Sequence, residues 1–289
     1  AIINNFEIPE NKESILAQHT LGSQVLDKLI GFSTPENFEK YTSCLKDLRK
    51  LILNTNSSFV LESCIKIATI RALASENVAK KEDDSEPESK KKKYSKKSTD
   101  VDYNLEQDFK PSHIEYCNQF VLRLSKFALN NIEDLLTTQG SHFIRTCVLC
   151  LSGIVSYKLH DKSPVNQINL KTDYGKSLRQ EWIEIIDDFA SRLQLWPHFS
   201  QLALHEKPST FLQVLCQALH NSDQKKALKK FIKSIMKKCF DYDDEEESTK
   251  PFRNKSSTFL LESMLKHCDE KQFAKLYEKY FKGKLPEMA

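Results

Sequence analysis

Glycine is scarce in this sequence, with 6 in 289 residues, and proline is hardly more frequent at 9. Compact β and α/β folds spend more turn residues than that on their connections, so helices joined by short links are favoured. No apolar run reaches the 18 residues that a membrane helix needs, and no secretory leader is visible, so neither export nor a membrane is expected. A strong excess of one charge is also missing. With 43 basic against 40 acidic residues the net charge is +3, which excludes a uniformly cationic protein that binds nucleic acid by charge alone. The first residue is Ala1 rather than Met, which fits a processed product or a piece of a longer chain.

Chemistry-bearing constellations are absent as well. The eight cysteines (44, 64, 117, 147, 150, 216, 239, 268) sit mostly inside apolar runs at helical spacing, which reads as free buried thiols in a reducing compartment. Cys147-x-x-Cys150 lies in an apolar helix with no second pair and no histidine at zinc spacing, so no metal is expected. The eight histidines form no paired helical motif, no Walker A loop, dinucleotide fingerprint or nucleophile elbow occurs, and the abundant carboxylates form no convincing pair within the repeat frame. An enzyme is therefore not expected, nor a cofactor.

What is present is an internal echo. Ser57-Ser58-Phe59-Val60-Leu61-Glu62-Ser63 recurs as Ser257-Thr258-Phe259-Leu260-Leu261-Glu262-Ser263, with looser copies opening at Ser23, Ser141 and Ser209. Self-similarity of this kind marks a repeat architecture. Each copy opens with a small or hydroxyl residue in the manner of a helix N-cap, then continues with apolar residues on one helical face, as in Val60, Leu61, Cys64 and Ile65. A second amphipathic helix precedes most copies, at 37–53, 113–136, 178–196 and 225–240. The unit is thus expected to be two longer helices.

Ser23 and Ser58 are 35 residues apart, and the later spacings of 83, 68 and 49 call for insertions. The expected organisation is two repeats in 1–79, a charged disordered insertion with a Lys-rich cluster at 80–111 and a third repeat in 112–155. A loop insertion at 156–175, a fourth repeat in 176–222 and a fifth in 223–289, with an acidic loop at 241–255, complete it. Segment 80–111 is too charged and too poor in apolar residues to fold alone. The fold class is all-α, a curved helical-repeat solenoid of about five repeats.

The unit of 35 residues resembles the Pumilio (PUF) repeat. The likeness sharpens at Gly22-Ser23-Gln24-Val25-Leu26, at Gly140-Ser141-His142-Phe143-Ile144-Arg145-Thr146 and at Ser209-Thr210-Phe211-Leu212-Gln213-Val214. Together these look like the N-terminal half of the nucleolar protein nine family, PUF-like factors of small ribosomal subunit assembly. The resemblance covers most of 15–285 and implies a longer curved solenoid that binds precursor rRNA on its concave face and restrains its premature cleavage. It places the protein in the nucleus and nucleolus, with pre-ribosomal assembly factors as possible partners.

A PUF helix offers three side chains to one base, with one repeat per base. Carried over by position, the trios are Ser23, Gln24 and Asp27; Ser58, Phe59 and Glu62; Ser141, His142 and Arg145; Ser209, Thr210 and Gln213; and Thr258, Phe259 and Glu262. The resemblance makes Ser58 with Glu62 a guanine-reading pair, and Thr258 with Glu262 a variant of it. Ser209 with Gln213 resembles an adenine reader, and Ser141 with Arg145 suits a cytosine edge or a phosphate. Asp27 would repel phosphate, so the first repeat also reads as a cap. The same residues carry a purely structural reading, with serines that cap helices and Phe59 and Phe259 in the core.

Two basic clusters remain. Lys90–Lys93, Lys96 and Lys97 read as a nuclear localisation signal or a phosphate-binding arm. Lys225, Lys226, Lys229, Lys230, Lys233, Lys237 and Lys238 share a helix with apolar Leu228, Phe231, Ile232 and Ile235, which gives a basic stripe for an RNA backbone or a solvated face. The acidic run at 241–247 is expected to shield that stripe when RNA is absent. The alternative architecture is a HEAT- or armadillo-like scaffold for proteins, whose repeats run about 40–47 residues and need no polar trio.

Overall fold

The computed structural model describes residues 13–74, 109–157, 166–169, 178–240 and 254–282. The Lys-rich cluster at 90–97 and the acidic run at 241–247 lie outside the described residues. Helices dominate, in five successive units. The first holds α1 (Glu13–Gln18) and α2 (Thr20–Gly31). The second holds α3 (Pro35–Ser43), α4 (Leu48–Leu53) and α5 (Thr55–Ala74). The third holds α6 (Pro111–Asn130), α7 (Ile132–Leu136) and α8 (Gly140–Leu151). The fourth holds α9 (Gln180–Gln194), α10 (Phe199–Leu204) and α11 (Glu206–Asn221). The fifth holds α12 (Lys225–Cys239) and α13 (Lys255–Lys266), followed by α14 (Glu270–Leu276) and a π-helical turn over Tyr277–Phe281.

The inner helices α2, α5, α8, α11 and α13 stack each on the next. The helices α3, α6, α9 and α12 form an outer row. Within it α6 packs on α9 and α9 on α12, while α3 meets α6 through the edge-on rings of Phe38 and Phe120 and a 2.7 Å hydrogen bond between the Thr42 and Tyr116 hydroxyls. Between the rows runs one continuous apolar core that includes Phe143, Trp182, Phe189, Phe211 and Phe231.

Two expectations need correction. The unit is three helices, because the predicted helices 37–53 and 113–136 are each broken in two. Asp47 caps α4 by accepting from the Lys50 N–H at 3.2 Å, and the Asn131 side chain donates to the Phe127 carbonyl at 2.8 Å where α6 ends. Apolar periodicity continues through both breaks, so periodicity alone does not reveal them. The repeat openers, moreover, are not N-caps. Asn54 accepts from the Asn56 and Ser57 amides, both at 3.1 Å, and Asn254 from the Ser256 and Ser257 amides at 2.9 and 3.2 Å. His19 fills the same role for Gly22 at 3.4 Å. The opener lies four residues on, and its amide donates to the capping residue's carbonyl: Ser23 to His19, Ser58 to Asn54, Ser209 to His205 and Thr258 to Asn254, at 2.8–3.0 Å.

The small residue before each opener (Gly22, Ser57, Gly140, Pro208, Ser257) is buried, and packing explains it. A methyl group at Gly22 would lie 2.3 Å from the Leu16 carbonyl oxygen, and one at Gly140 would lie 2.6 Å from Leu135 Cδ2. Close approach of α1 to α2, and of α7 to α8, leaves no room for a side chain there.

The 156–175 insertion, expected as a loop, holds part of a two-stranded antiparallel ladder, β1 (Ile154–Tyr157) and β2 (Asn166–Asn169), with Ile154 opposite Asn169. All eight cysteines are unpaired, and six are buried. Burial pushes the Cys117, Cys150 and Cys239 thiols up to about 12, well away from the range in which a thiolate attacks or ligates at neutral pH. Among the described residues no helix is long and apolar enough to cross a membrane.

Candidate nucleic-acid interface

In α2, α5, α11 and α13 the opener stands four residues after the cap, whereas α8 is entered through a tighter turn in which the Ser141 amide donates to the Thr138 carbonyl at 3.3 Å. The inner helices still stack with their openers in equivalent places. The residue after each opener is the one turned away from the core: Gln24, Phe59, His142 and Phe259 are exposed and Thr210 is half-buried. Phe59 is 58% exposed and Phe259 49%, so neither is a core residue. An aromatic ring costs hydration when it faces water, and a base stacked on it would cover that face.

The openers behave differently. Ser23, Ser58, Ser141 and Ser209 are buried. The Ser23 hydroxyl donates to the Thr20 carbonyl at 2.9 Å, and Ser209 donates to the Ser256 carbonyl of the next repeat at 2.6 Å. The exposed Thr258 hydroxyl bonds its own cap carbonyl, and Thr210 does the equivalent with Glu206. The hydroxyls of Ser58 and Ser141 are buried with no hydrogen-bond partner among the described residues.

At the fourth position after the opener, the first two repeats use their carboxylates to hold the neighbouring repeat. Asp27 accepts from the Ser63 hydroxyl, and Glu62 Oε2 accepts from Thr146 Oγ1 at 2.9 Å. Ser63 and Thr146 each stand one residue beyond the fourth position of the following repeat, so the two contacts are equivalent. In the third repeat Arg145 turns back on its own helix, donating from Nε to the Ser141 carbonyl at 3.2 Å and from Nη2 to His142 Nδ1 at 2.7 Å. Burial, then the adjacent guanidinium, holds the His142 imidazole below its ordinary pKa, so the ring is neutral at pH 7 and free to stack. Gln213 reaches its own Ser209 hydroxyl at 3.5 Å. Only in the fifth trio are all three side chains exposed, Thr258, Phe259 and Glu262.

Lysines that the trios leave out complete the face. Phe59-x-x-Glu62-x-x-x-Lys66 is matched by Phe259-x-x-Glu262-x-x-x-Lys266, and spacings of three and four put aromatic, carboxylate and lysine on one helical face. Lys255 Nζ lies 5.8 Å from the Phe259 ring centroid. The signal for Lys66 and Lys266 was in the sequence, as the last letter of an eight-residue echo. The lysines of α12, by contrast, are on the outer row and not beside the trios.

At the far end of the same helices His220 and His267 lie with ring centroids 4.8 Å apart. Burial, then His220 and Lys266, lowers the His267 pKa to about 4. An unfolded imidazole titrates near 6.5, roughly. Above that pH His267 is neutral in both the folded and the unfolded chain. As pH falls from 6.5 towards 4 the unfolded chain takes up a proton that the folded chain refuses, so stability is lost in that window. The melting temperature is expected to fall between pH 7 and 5, and His267→Asn to flatten part of that fall. A pH series of thermal melts checks it, and parallel curves for the two proteins would remove the assignment.

Comparison with known proteins bears on the fold and the family. No curated protein matches the chain significantly in sequence. Among solved structures, that of APUM23 with GGAAUUGACGG superposes with a TM-score of 0.62 at 16% identity. The match covers 99% of this chain and 47% of that one, so the chain spans about half of that protein's length. The likeness establishes the fold and displaces the HEAT- or armadillo-like alternative. A family model described as the NOP9-like PUF repeat domain matches residues 11–289. The chain belongs to the NOP9-like PUF repeat domain family.

Proposed function

We propose that the chain binds single-stranded or partly structured RNA along the exposed stripe of its inner helices, and that this RNA is precursor rRNA in the nucleolus. In this reading the bound strand is shielded from premature cleavage while the small ribosomal subunit is assembled, with assembly factors of the same particle as neighbours. The observation that carries it is the register of Gln24, Phe59, His142, Thr210 and Phe259, one equivalent position on each of the five stacked helices, with two half-exposed phenyl rings among them. A surface that only faced water would gain nothing from phenyl rings at those positions. Family membership supports the same use of the inner row, and APUM23 supplies a relative of the same fold in complex with an oligonucleotide.

The test is fluorescence anisotropy with labelled precursor-rRNA oligonucleotides. Phe59→Ala is expected to weaken binding by about tenfold, within the roughly 1–3 kcal/mol of a base–aromatic stack. Phe59→Tyr, which keeps a ring, should restore it. Unchanged affinity in both Phe59→Ala and Phe259→Ala would take RNA off the inner row.

A further inference from the structure

Charge is segregated by helix along the outer row. The exposed residues of α6 mix Glu115, Arg123 and Lys126, and those of α9 are mainly acidic, with Glu181, Glu184, Asp187 and Asp188. In α12 every ionisable residue apart from the buried Cys239 is a lysine, and all seven lysines are exposed. The opposite side of α12 is fixed, because Leu228, Phe231, Ile232, Ile235, Met236 and Cys239 are buried in the core. The helix therefore cannot rotate its charges inward.

The seven do not act alike. Lys225 sits 3.6 Å from Asp223, and Lys238 turns aside to donate to the Gln194 carbonyl at 2.5 Å. Lys226, Lys229, Lys230, Lys233 and Lys237 make no ion pair among the described residues. At 100° per residue these five fall within an arc of about 100° opposite the buried side. Five like charges held together repel one another, and the fold accepts that cost with no acidic residue in the helix. No aromatic or amide side chain lies in the arc, so the face has nothing with which to stack on or read a base. What it fits is phosphate. A polar groove of about 620 Å³ bounds it on one side, with Asp187, Ser191 and Gln194 on the α9 wall and Lys226 and Lys230 on the other. Asp187 would repel a strand crossing that edge, which leaves the axis of α12, about 22 Å long at 1.5 Å per residue, as the line a backbone follows.

We propose that this outer face of α12 is a second RNA-binding surface, which holds the phosphate backbone of a different segment of the RNA whose single strand lies on the inner row. The proposal rests on the RNA-binding reading above and adds a site on the other side of the two-row stack. A folded RNA with a strand next to a stem would then be gripped at two places at once, with the affinity gain that tethering brings.

The experiment compares two probes on the full chain: a single-stranded precursor-rRNA oligonucleotide, and the same oligonucleotide extended by a hairpin stem. The variant carries Lys226→Gln, Lys229→Gln, Lys230→Gln, Lys233→Gln and Lys237→Gln, all at exposed positions and all to a residue of similar helix propensity. It should keep wild-type helicity and bind the plain strand within about twofold of wild type. On the stem-extended RNA it should lose about tenfold or more at low salt, and its slope of log K against log salt should shrink by about 4 if five phosphates are released. Arginine at the same five positions should restore binding. Equal affinity of variant and wild type for the stem-extended RNA would overturn the proposal while leaving the inner-row reading intact. So would an equal loss on both probes, or a variant that loses only the capture of an acidic polyglutamate peptide. Failure of the wild type to bind either RNA would remove the reading on which the proposal rests.

Discussion

Trp182→Ala is expected to lower the free energy of unfolding by about 3–5 kcal/mol, the range for a buried tryptophan truncated to alanine. Trp182 is fully buried, and its indole N–H donates to Asn118 Oδ1 at 2.8 Å. Truncation removes the ring, opens a cavity and leaves the Asn118 carbonyl oxygen without its donor. The position matters more than the residue type. Trp182 stands on α9 and Asn118 on α6, so this contact joins the third repeat to the fourth across the long 156–175 insertion. Polar contacts reinforce the same joint: Arg179 Nη1 lies 4.0 Å from Glu115 Oε2 on α6, and the Asn221 amide donates to the Ser152 carbonyl. Stability in a repeat array is the sum of what each repeat holds and what each interface adds. A weakened interface therefore does two things, lowering the midpoint and loosening the coupling between the halves. Urea unfolding followed by circular dichroism should show an earlier and broader transition in Trp182→Ala. Trp182→Phe separates the parts, because it refills most of the volume while still leaving Asn118 unpaired, at a cost of about 1–3 kcal/mol. A sharp single transition in Trp182→Ala with less than about 1 kcal/mol lost would mean that the joint is held elsewhere.

Periodicity made the helix faces, the five-fold repetition and the inner-helix positions legible, because burial of one face every 3.6 residues is written directly in the apolar spacing. Phase was harder. Ser209-Thr210-Phe211 and Ser257-Thr258-Phe259 are the same tripeptide, yet Phe211 is buried and Phe259 is half exposed. The difference is one residue of offset from the capping position, His205 in one helix and Asn254 in the other, which turns the second phenyl by about 100° out of the core. The trios counted from Ser209 and Thr258 carry the same offset, and the caps at His205 and Asn254 supply its physical reason. The hydrogen bonds between repeats were not legible at all. Asp27 with Ser63 and Glu62 with Thr146 are 36 and 84 residues apart, the second pair across the charged 80–111 insertion. Local propensity carries no trace of such a pair, since Ser, Thr, Asp and Glu on an inner helix look equally suited to face a base. The trio serines follow the same rule. Their small size suits both a base contact and a buried seam, and Ser58, Ser141 and Ser209 are buried in the stack.

Glu62→Ala is expected to cost about 1.5–3 kcal/mol, the range for a hydrogen bond to a carboxylate lost at a buried site. Glu62 is 8% exposed, and Thr146, the donor to its Oε2, is equally buried. Removing the carboxylate strands the Thr146 hydroxyl, whereas Thr146→Val strands a carboxylate oxygen beside Oε1, which already has no partner among the described residues. The two substitutions should therefore be non-additive. A double-mutant cycle should return a coupling energy of about 1 kcal/mol or more. Glu62→Gln discriminates between the two roles the side chain can hold. Its amide oxygen still accepts from Thr146, so stability should stay within about 1 kcal/mol of wild type. A guanine edge needs two acceptors, and the amide offers only one, so a base-reading Glu62 would lose guanine preference in the same variant. The geometry favours the first outcome: one oxygen of Glu62 is committed to the neighbouring repeat, and Asp27 makes the equivalent commitment one repeat earlier. Base choice in the first two repeats would then rest on Gln24 and Phe59 alone, with the carboxylates holding adjacent repeats together. If Glu62→Gln kept its stability and lost discrimination between guanine and adenine at one position of the oligonucleotide, the carboxylate would be a reader after all, and the Thr146 contact a means of orienting it.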